Sequence, residues 1–223
     1  MEKVSQRLYR KAKPIWDQCL EHPFLKELAA GKLEEDRFAY YFAQDYVYLI
    51  EYARLFALGC AKARDLETMN RFAGLLHSTL YGEMELHRSF ARKFGISPEQ
   101  LEATKPGPIT IAYTGYMKNA AQTGTLAELL AALLPCTWSY WELGVTLSKV
   151  PGALDHPLYR DWILTYASDE VGTLAKWMMD KLDELAEGLP ESELAHLEEL
   201  FVTTSKFEYM FWDMAYNKEH WPV

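Results

Sequence analysis

The chain has 223 residues, enough to bury one full hydrophobic core. Hydrophobic residues make up 49% and charged residues 25%, a globular balance that excludes a disordered or fibrous chain. The formal net charge of −9 argues against a nucleic-acid binder, because neutralising phosphates needs a basic patch and none stands out in the sequence.

The first segment, MEKVSQRLYRKAKPIW, is charged from its second residue and has no apolar run of the secretory type. Later, the apolar stretch 126–134 falls well short of the roughly 18 residues that a membrane helix needs. A cytoplasmic protein with no membrane partner is the expectation. Cys19, Cys60 and Cys136 are odd in number, far apart and without a Cys-x-x-Cys pair, so neither a disulfide framework nor a thiolate zinc site is expected.

Helical period runs through nearly every segment, and no alternating strand or Asn-Gly hairpin interrupts it. Breaks fall at His22-Pro23, Gly31, Gly95-Ile96-Ser97-Pro98, Lys105-Pro106-Gly107-Pro108, Gly124, Val150-Pro151-Gly152 and Gly188-Leu189-Pro190. Ser97-Pro98 and Asp155-His156-Pro157 read as helix starts, where a side-chain oxygen caps and an early proline loses no needed hydrogen bond. No break is long or polar enough to be a linker. The chain is therefore expected to form a single all-α domain, residues 1–223, with about eight or more helices. Such bundles build small-molecule sites from side chains on facing helices.

Three segments carry candidate chemistry. In the first, Tyr41, Asp45, Tyr48 and Tyr52 share one helix face, while Phe38, Phe42, Leu49, Ala53 and Phe56 form its apolar stripe. Asp45 is either a buried hydrogen-bonding group or an acceptor for a substrate amine. In the second, Pro135 is expected to open or kink a helix, with Cys136 and Tyr140 one turn apart after it. A helix restarting there would put Cys136 near unpaired N–H groups, which favour a thiolate. The bland alternative is a cysteine acting as a small core hydrophobe. In the third, Glu208 lies among Phe207, Tyr209, Met210, Phe211 and Trp212. It is either a desolvated general acid or a glutamate on a solvent stripe beside Lys206 and Asp213.

Metal and nucleotide chemistry find little support. Of the two Glu-x-x-His pairs that a ferritin-like centre needs, only Glu193-Leu-Ala-His196 is present, in a strongly acidic stretch. Glu83 and His87 have i, i+4 spacing, which reads as ordinary helix support. His-Glu-x-x-His, Gly-x-Gly-x-x-Gly, Gly-x-Ser-x-Gly and a Walker phosphate loop are absent.

Taken in order, several stretches resemble the thiaminase II (TenA) family, which has the haem-oxygenase-like all-α fold. They are His-Pro-Phe-Leu-Lys-Glu-Leu-Ala-Ala-Gly-Lys-Leu (22–33), Tyr-Phe-Ala-Gln-Asp-Tyr-Val-Tyr-Leu (41–49) and Ala-Tyr-Thr-Gly-Tyr-Met (112–117). Leu-Pro-Cys-Thr-Trp-Ser-Tyr-Trp-Glu-Leu-Gly (134–144), Tyr-Ala-Ser (166–168) and Glu-Tyr-Met-Phe-Trp-Asp-Met-Ala (208–215) complete the set. The resemblance implies thiamin salvage: hydrolysis of an aminomethyl aminopyrimidine to its hydroxymethyl form, and cleavage of thiamin. It implies Cys136 as nucleophile, Asp45 and Glu208 as acidic partners, and Tyr48, Tyr113, Tyr140 and Tyr166 as the lining of a pyrimidine pocket. It also implies a homotetramer and no metal or organic cofactor.

Two other classes stay open on sequence. One is an iron- or haem-dependent oxidoreductase of the same fold, with His22, His77 or His87 as ligand. The other is a non-enzymatic regulatory protein, against which the acidic charge and the lack of a DNA-reading motif both count.

Overall fold

The computed structural model describes residues 2–223. In chain order the helices are α1 (Val4–Leu20), α2 (Pro23–Ala29), α3 (Glu35–Lys62), α4 (Leu66–Ser78), α5 (Met84–Lys93) and α6 (Pro98–Glu102). They continue with α7 (Pro108–Thr123), α8 (Leu126–Leu147), α9 (Pro157–Tyr166), α10 (Asp169–Leu185) and α11 (Glu191–Asn217). A π-helical turn, Thr79–Glu83, joins α4 to α5. No strand occurs among the described residues, so the molecule is all-α.

The ends of the helices follow the local chemistry. Ser97 caps α6 in a full capping box: its hydroxyl accepts from the Gln100 N–H, while the Gln100 side chain accepts from the Ser97 N–H. Proline stands at the start of α2, α6, α7 and α9, where its missing N–H costs nothing. The imidazole of His22 accepts from the Phe24 N–H and so caps α2. Helix α5 stops at Gly95, whose φ of +71° suits a residue without a Cβ. There the N–H groups of Gly95 and Ile96 reach back to the carbonyls of Arg92 and Ala91.

Pro135 does not break its helix: α8 runs without interruption from Leu126 to Leu147. The proline removes one ladder hydrogen bond, a cost of about 3 kcal/mol in an exposed helix. Here the flanking Leu129–Leu134 run is wholly buried, and that packing outweighs the local preference. Cys136 therefore sits in mid-helix and not at a helix N-terminus, and the expected N–H cluster around its sulfur is withdrawn.

By internal packing the chain groups into two compact units. The first takes the chain up to Leu33 together with Leu130–Asp213. Its core includes Leu8, Ala12, Trp16 and Cys19, one face of α1 at helical spacing. Trp16 meets Trp138 and Phe201 at 5.5 and 5.8 Å, and its indole N–H donates to Ser205 Oγ at 3.1 Å.

The second unit takes Glu34–Leu129 and Met214–Val223. Helix α3 is its central element. Both the Tyr41/Asp45/Tyr48/Tyr52 stripe and the Phe38/Phe42/Leu49/Ala53/Phe56 stripe are buried, so α3 is a core helix rather than a surface one. The amide of Gln44 on α3 pins the start of α7: its oxygen accepts from the Gly107 N–H at 2.9 Å and the Thr110 hydroxyl at 2.7 Å.

Candidate active site

In the first unit, α8 carries Cys136 and Tyr140, α9 ends on Tyr166, and α11 carries Glu208 and Trp212. The ring of Tyr140 joins these elements. It meets Tyr166 edge-on at 4.8 Å and Trp212 at 5.1 Å, and Trp162 packs on Tyr166 at 4.9 Å. Cys136 and Glu208 each lie one helical turn before a member of this ring cluster. Glu208 is 2% exposed, so it belongs to the interior and not to a solvent stripe. Cys136 is only half-buried, unlike a core hydrophobe.

A second thiol shares this neighbourhood. Cys19 on α1 is buried, and its pKa is pushed up to about 12, first by desolvation and then by the negative charge of Glu208. It is a protonated thiol at neutral pH, without nucleophilic character. No disulfide joins the three cysteines.

In the second unit, Asp45 is 5% exposed and its Oδ2 lies 2.7 Å from Nε2 of His87, itself 3% exposed. The other ring nitrogen, Nδ1, lies 2.9 Å from the main-chain carbonyl of Glu83. Burial alone would lower the pKa of His87, but the hydrogen bond and charge of Asp45, with Glu83, hold it above the usual imidazole value. The Glu83 carboxyl is pushed up to about 7, chiefly by desolvation. Tyr48 packs between Tyr52 and Tyr113, at 5.5 and 5.2 Å, and its hydroxyl points to the Met117 sulfur. Of the predicted site residues, Asp45, Tyr48 and Tyr113 are thus in this unit, all three buried.

Sequence reasoning treated Glu83 and His87 as a local support pair. The contact is instead made through the Glu83 carbonyl, and the charged partner of His87 is Asp45, 42 positions away. The i, i+4 spacing was the only signal, and it could not reveal a partner on another helix. His22 spends Nδ1 on the α2 cap and sets Nε2 3.6 Å from Asp213, and both nitrogens of His87 are engaged. Among the described residues, no group of three or more His, Cys, Asp or Glu side chains is arranged to hold a metal ion. No helix among them is long and apolar enough to cross a membrane. A surface groove of about 450 Å³ in the first unit, walled by Tyr9, Trp138, Lys3, Lys176, Asp180 and Asp183, contains none of the predicted site residues.

Comparison with known proteins bears on this arrangement. Residues 9–218 match the model of the TENA/THI-4/PQQC family. The chain is 55% identical over 214 residues to an aminopyrimidine aminohydrolase of Halalkalibacterium halodurans, covering 96% of each chain. It is 41% identical over 220 residues to an aminopyrimidine aminohydrolase of Bacillus subtilis, covering 98% of this chain and 92% of that one. Among solved structures, a TenA homologue from P. horikoshii OT3 superposes with a TM-score of 0.90 at 30% identity, over 98% of this chain and all of the other. A domain with a heme oxygenase-like fold from Shewanella denitrificans shares the fold, with a TM-score of 0.77 at 19% identity and coverage of 96% and 92%. End to end, in sequence and in fold, this chain belongs to the TENA/THI-4/PQQC family.

Proposed function

We propose that the chain is a hydrolase of thiamin salvage. It converts 4-amino-5-aminomethyl-2-methylpyrimidine and water into the 5-hydroxymethyl pyrimidine and ammonia, and it cleaves thiamin to the same pyrimidine and the thiazole alcohol. The observation that carries this reading is the near-full-length similarity to aminopyrimidine aminohydrolases.

Direct displacement at the CH₂ carbon is slow because an amine leaves poorly. Covalent catalysis divides that step. The Cys136 thiolate adds to ring carbon C6 while an acid protonates N1, which makes the ring an electron-rich enamine. Those electrons expel the protonated amine and leave an exocyclic methylene. Water adds to the methylene and gives up a proton. The C6–S bond then breaks, N1 loses its proton, and aromaticity returns. Sulfur suits both ends of the sequence because it adds readily and also leaves.

In this reading Glu208 serves the ring nitrogen or the leaving amine, and Asp45 accepts from the 4-amino group. Tyr48, Tyr113, Tyr140 and Tyr166 supply flat apolar walls with phenol tips, which suit a small heteroaromatic ring. The chemistry calls for neither a metal nor an organic cofactor. By family resemblance the protein is a cytoplasmic homotetramer.

Incubating the purified protein with the aminomethyl pyrimidine and with thiamin in parallel, and quantifying ammonia and hydroxymethyl pyrimidine, tests the proposal. Turnover of the aminomethyl pyrimidine is expected. A folded protein that converts neither compound contradicts it.

A further inference from the structure

We infer that His87 is a positioning residue for Asp45: it holds one carboxylate oxygen fixed and turns the other toward an incoming amine. The inference rests on the role proposed above for Asp45. Its physical basis is a set of contacts within one unit of the molecule.

The ring's orientation is set from one side. Nδ1 of His87 faces the Glu83 carbonyl at 2.9 Å, and a carbonyl only accepts, so Nδ1 carries a hydrogen. Phe42 lies against the imidazole at 5.0 Å, with Phe90 stacked beyond it at 4.9 Å, so the ring is held on its face as well. Nε2 is thereby aimed at Oδ2 of Asp45, 2.7 Å away and as short as a charge-assisted bond. Burial is the largest single influence on the imidazole and lowers its pKa, but the hydrogen bonds and charges of Asp45 and Glu83 together outweigh it and raise the pKa.

Two buried polar groups thus satisfy one another. With Oδ2 bonded to the imidazole, the second oxygen of Asp45 is left to receive N–H donors.

The backbone contributes to this placement. The π-helical turn Thr79–Glu83 inserts one residue into the path from α4 to α5, which rotates α5 by about 100° relative to a continuous α-helix. That rotation sets the face on which His87 projects, and Glu83, the last residue of the turn, supplies the carbonyl that orients it. Such bulges recur at functional sites.

A double-mutant cycle tests the pairing, with kcat/KM for the aminomethyl pyrimidine as readout. His87→Ala is expected to lower kcat/KM by about 10- to 100-fold, the worth of a buried charge-assisted hydrogen bond. His87→Gln keeps a donor and is expected to recover part of that loss. In an Asp45→Asn background both changes should cost less than about threefold, because the group they act through is already disabled. If His87→Ala does not fold, the cycle is run with His87→Gln. Ring ¹⁵N shifts are expected to show Nδ1 of His87 protonated in the wild-type protein, and an unprotonated Nδ1 would overturn the inference. Losses that multiply across the two backgrounds, or full activity in His87→Ala, would overturn the inference while wild-type turnover leaves the proposed function standing. Absence of wild-type turnover would instead overturn the proposed function, and this inference with it.

Discussion

Gly144 on α8 approaches the end of α9 so closely that a Cβ on it would lie 2.5 Å from the Ala167 nitrogen and 2.9 Å from the Cβ of Tyr166. No other residue type fits without displacing main chain. The contact places Tyr166 against Tyr140, one turn before Gly144 on the same helix.

Gly144→Ala is therefore expected to destabilise the protein by about 1–3 kcal/mol through overpacking. It is also expected to cut kcat/KM at least tenfold by moving the Tyr166 ring, proposed above as a wall of the pyrimidine pocket. Gly115→Ala is the control. That glycine is mid-helix in α7 with nothing near its would-be Cβ, and the substitution should add about 0.5–1 kcal/mol. Thermal melts and steady-state kinetics on both variants check the pair. Equal effects would mean that the close approach at Gly144 does not matter.

Cys136 and Cys19 should differ in reactivity. Iodoacetamide at pH 7.5 is expected to modify the half-buried Cys136 and to spare Cys19, whose thiol is buried and pushed up to about 12. Peptide mass spectrometry over a time course reads the order. Alkylation of Cys19 ahead of Cys136 in folded protein would contradict this picture of the site.

Stability should fall as pH rises across neutrality. Glu83 binds its proton more tightly folded than unfolded, so its contribution is lost between about pH 4.5 and about 7. His87 acts in the same direction: its contribution is complete below the unfolded imidazole value and is lost as pH climbs through its raised folded value. Wild-type protein is expected to melt several degrees lower at pH 8.5 than at pH 5. Glu83→Gln should flatten that difference by about 2 kcal/mol. Melts of both proteins from pH 5 to 9 decide it, and an unchanged slope in Glu83→Gln would count against Glu83 as the source.

Pro135 offers a separate handle on Cys136. Pro135→Ala restores a ladder hydrogen bond inside α8 and is expected to raise the melting temperature. If the proline also sets the local path of the helix, the same change will lower kcat/KM about tenfold by shifting the sulfur. Higher stability with unaltered kinetics would show that the proline has no part in placing the thiol.

Much of the fold was legible because helical period, proline starts and glycine stops are local. The capping box at Ser97 and the stop at Gly95 both follow from residues within one turn of the boundary. The Tyr41/Asp45/Tyr48/Tyr52 stripe was legible for the same reason. What escaped was decided at long range. The buried Leu129–Leu134 run carries α8 through Pro135, and local preference alone predicted a break. The π-helical turn has no residue signature, and the bond between Asp45 and His87 joins two helices that spacing cannot relate. Glu208 could be read either as a solvent residue or as an interior one until packing placed it inside.

The measurement that bears most directly on the cysteine mechanism is ammonia release from the aminomethyl pyrimidine by wild-type protein, Cys136→Ser and Cys136→Ala, each with its melting curve. Both variants are expected to melt within a few degrees of wild type and to lose turnover by at least about a thousandfold, because neither can form and release the C6 adduct. Near-normal ammonia release by a folded Cys136→Ala protein would contradict covalent catalysis at this sulfur.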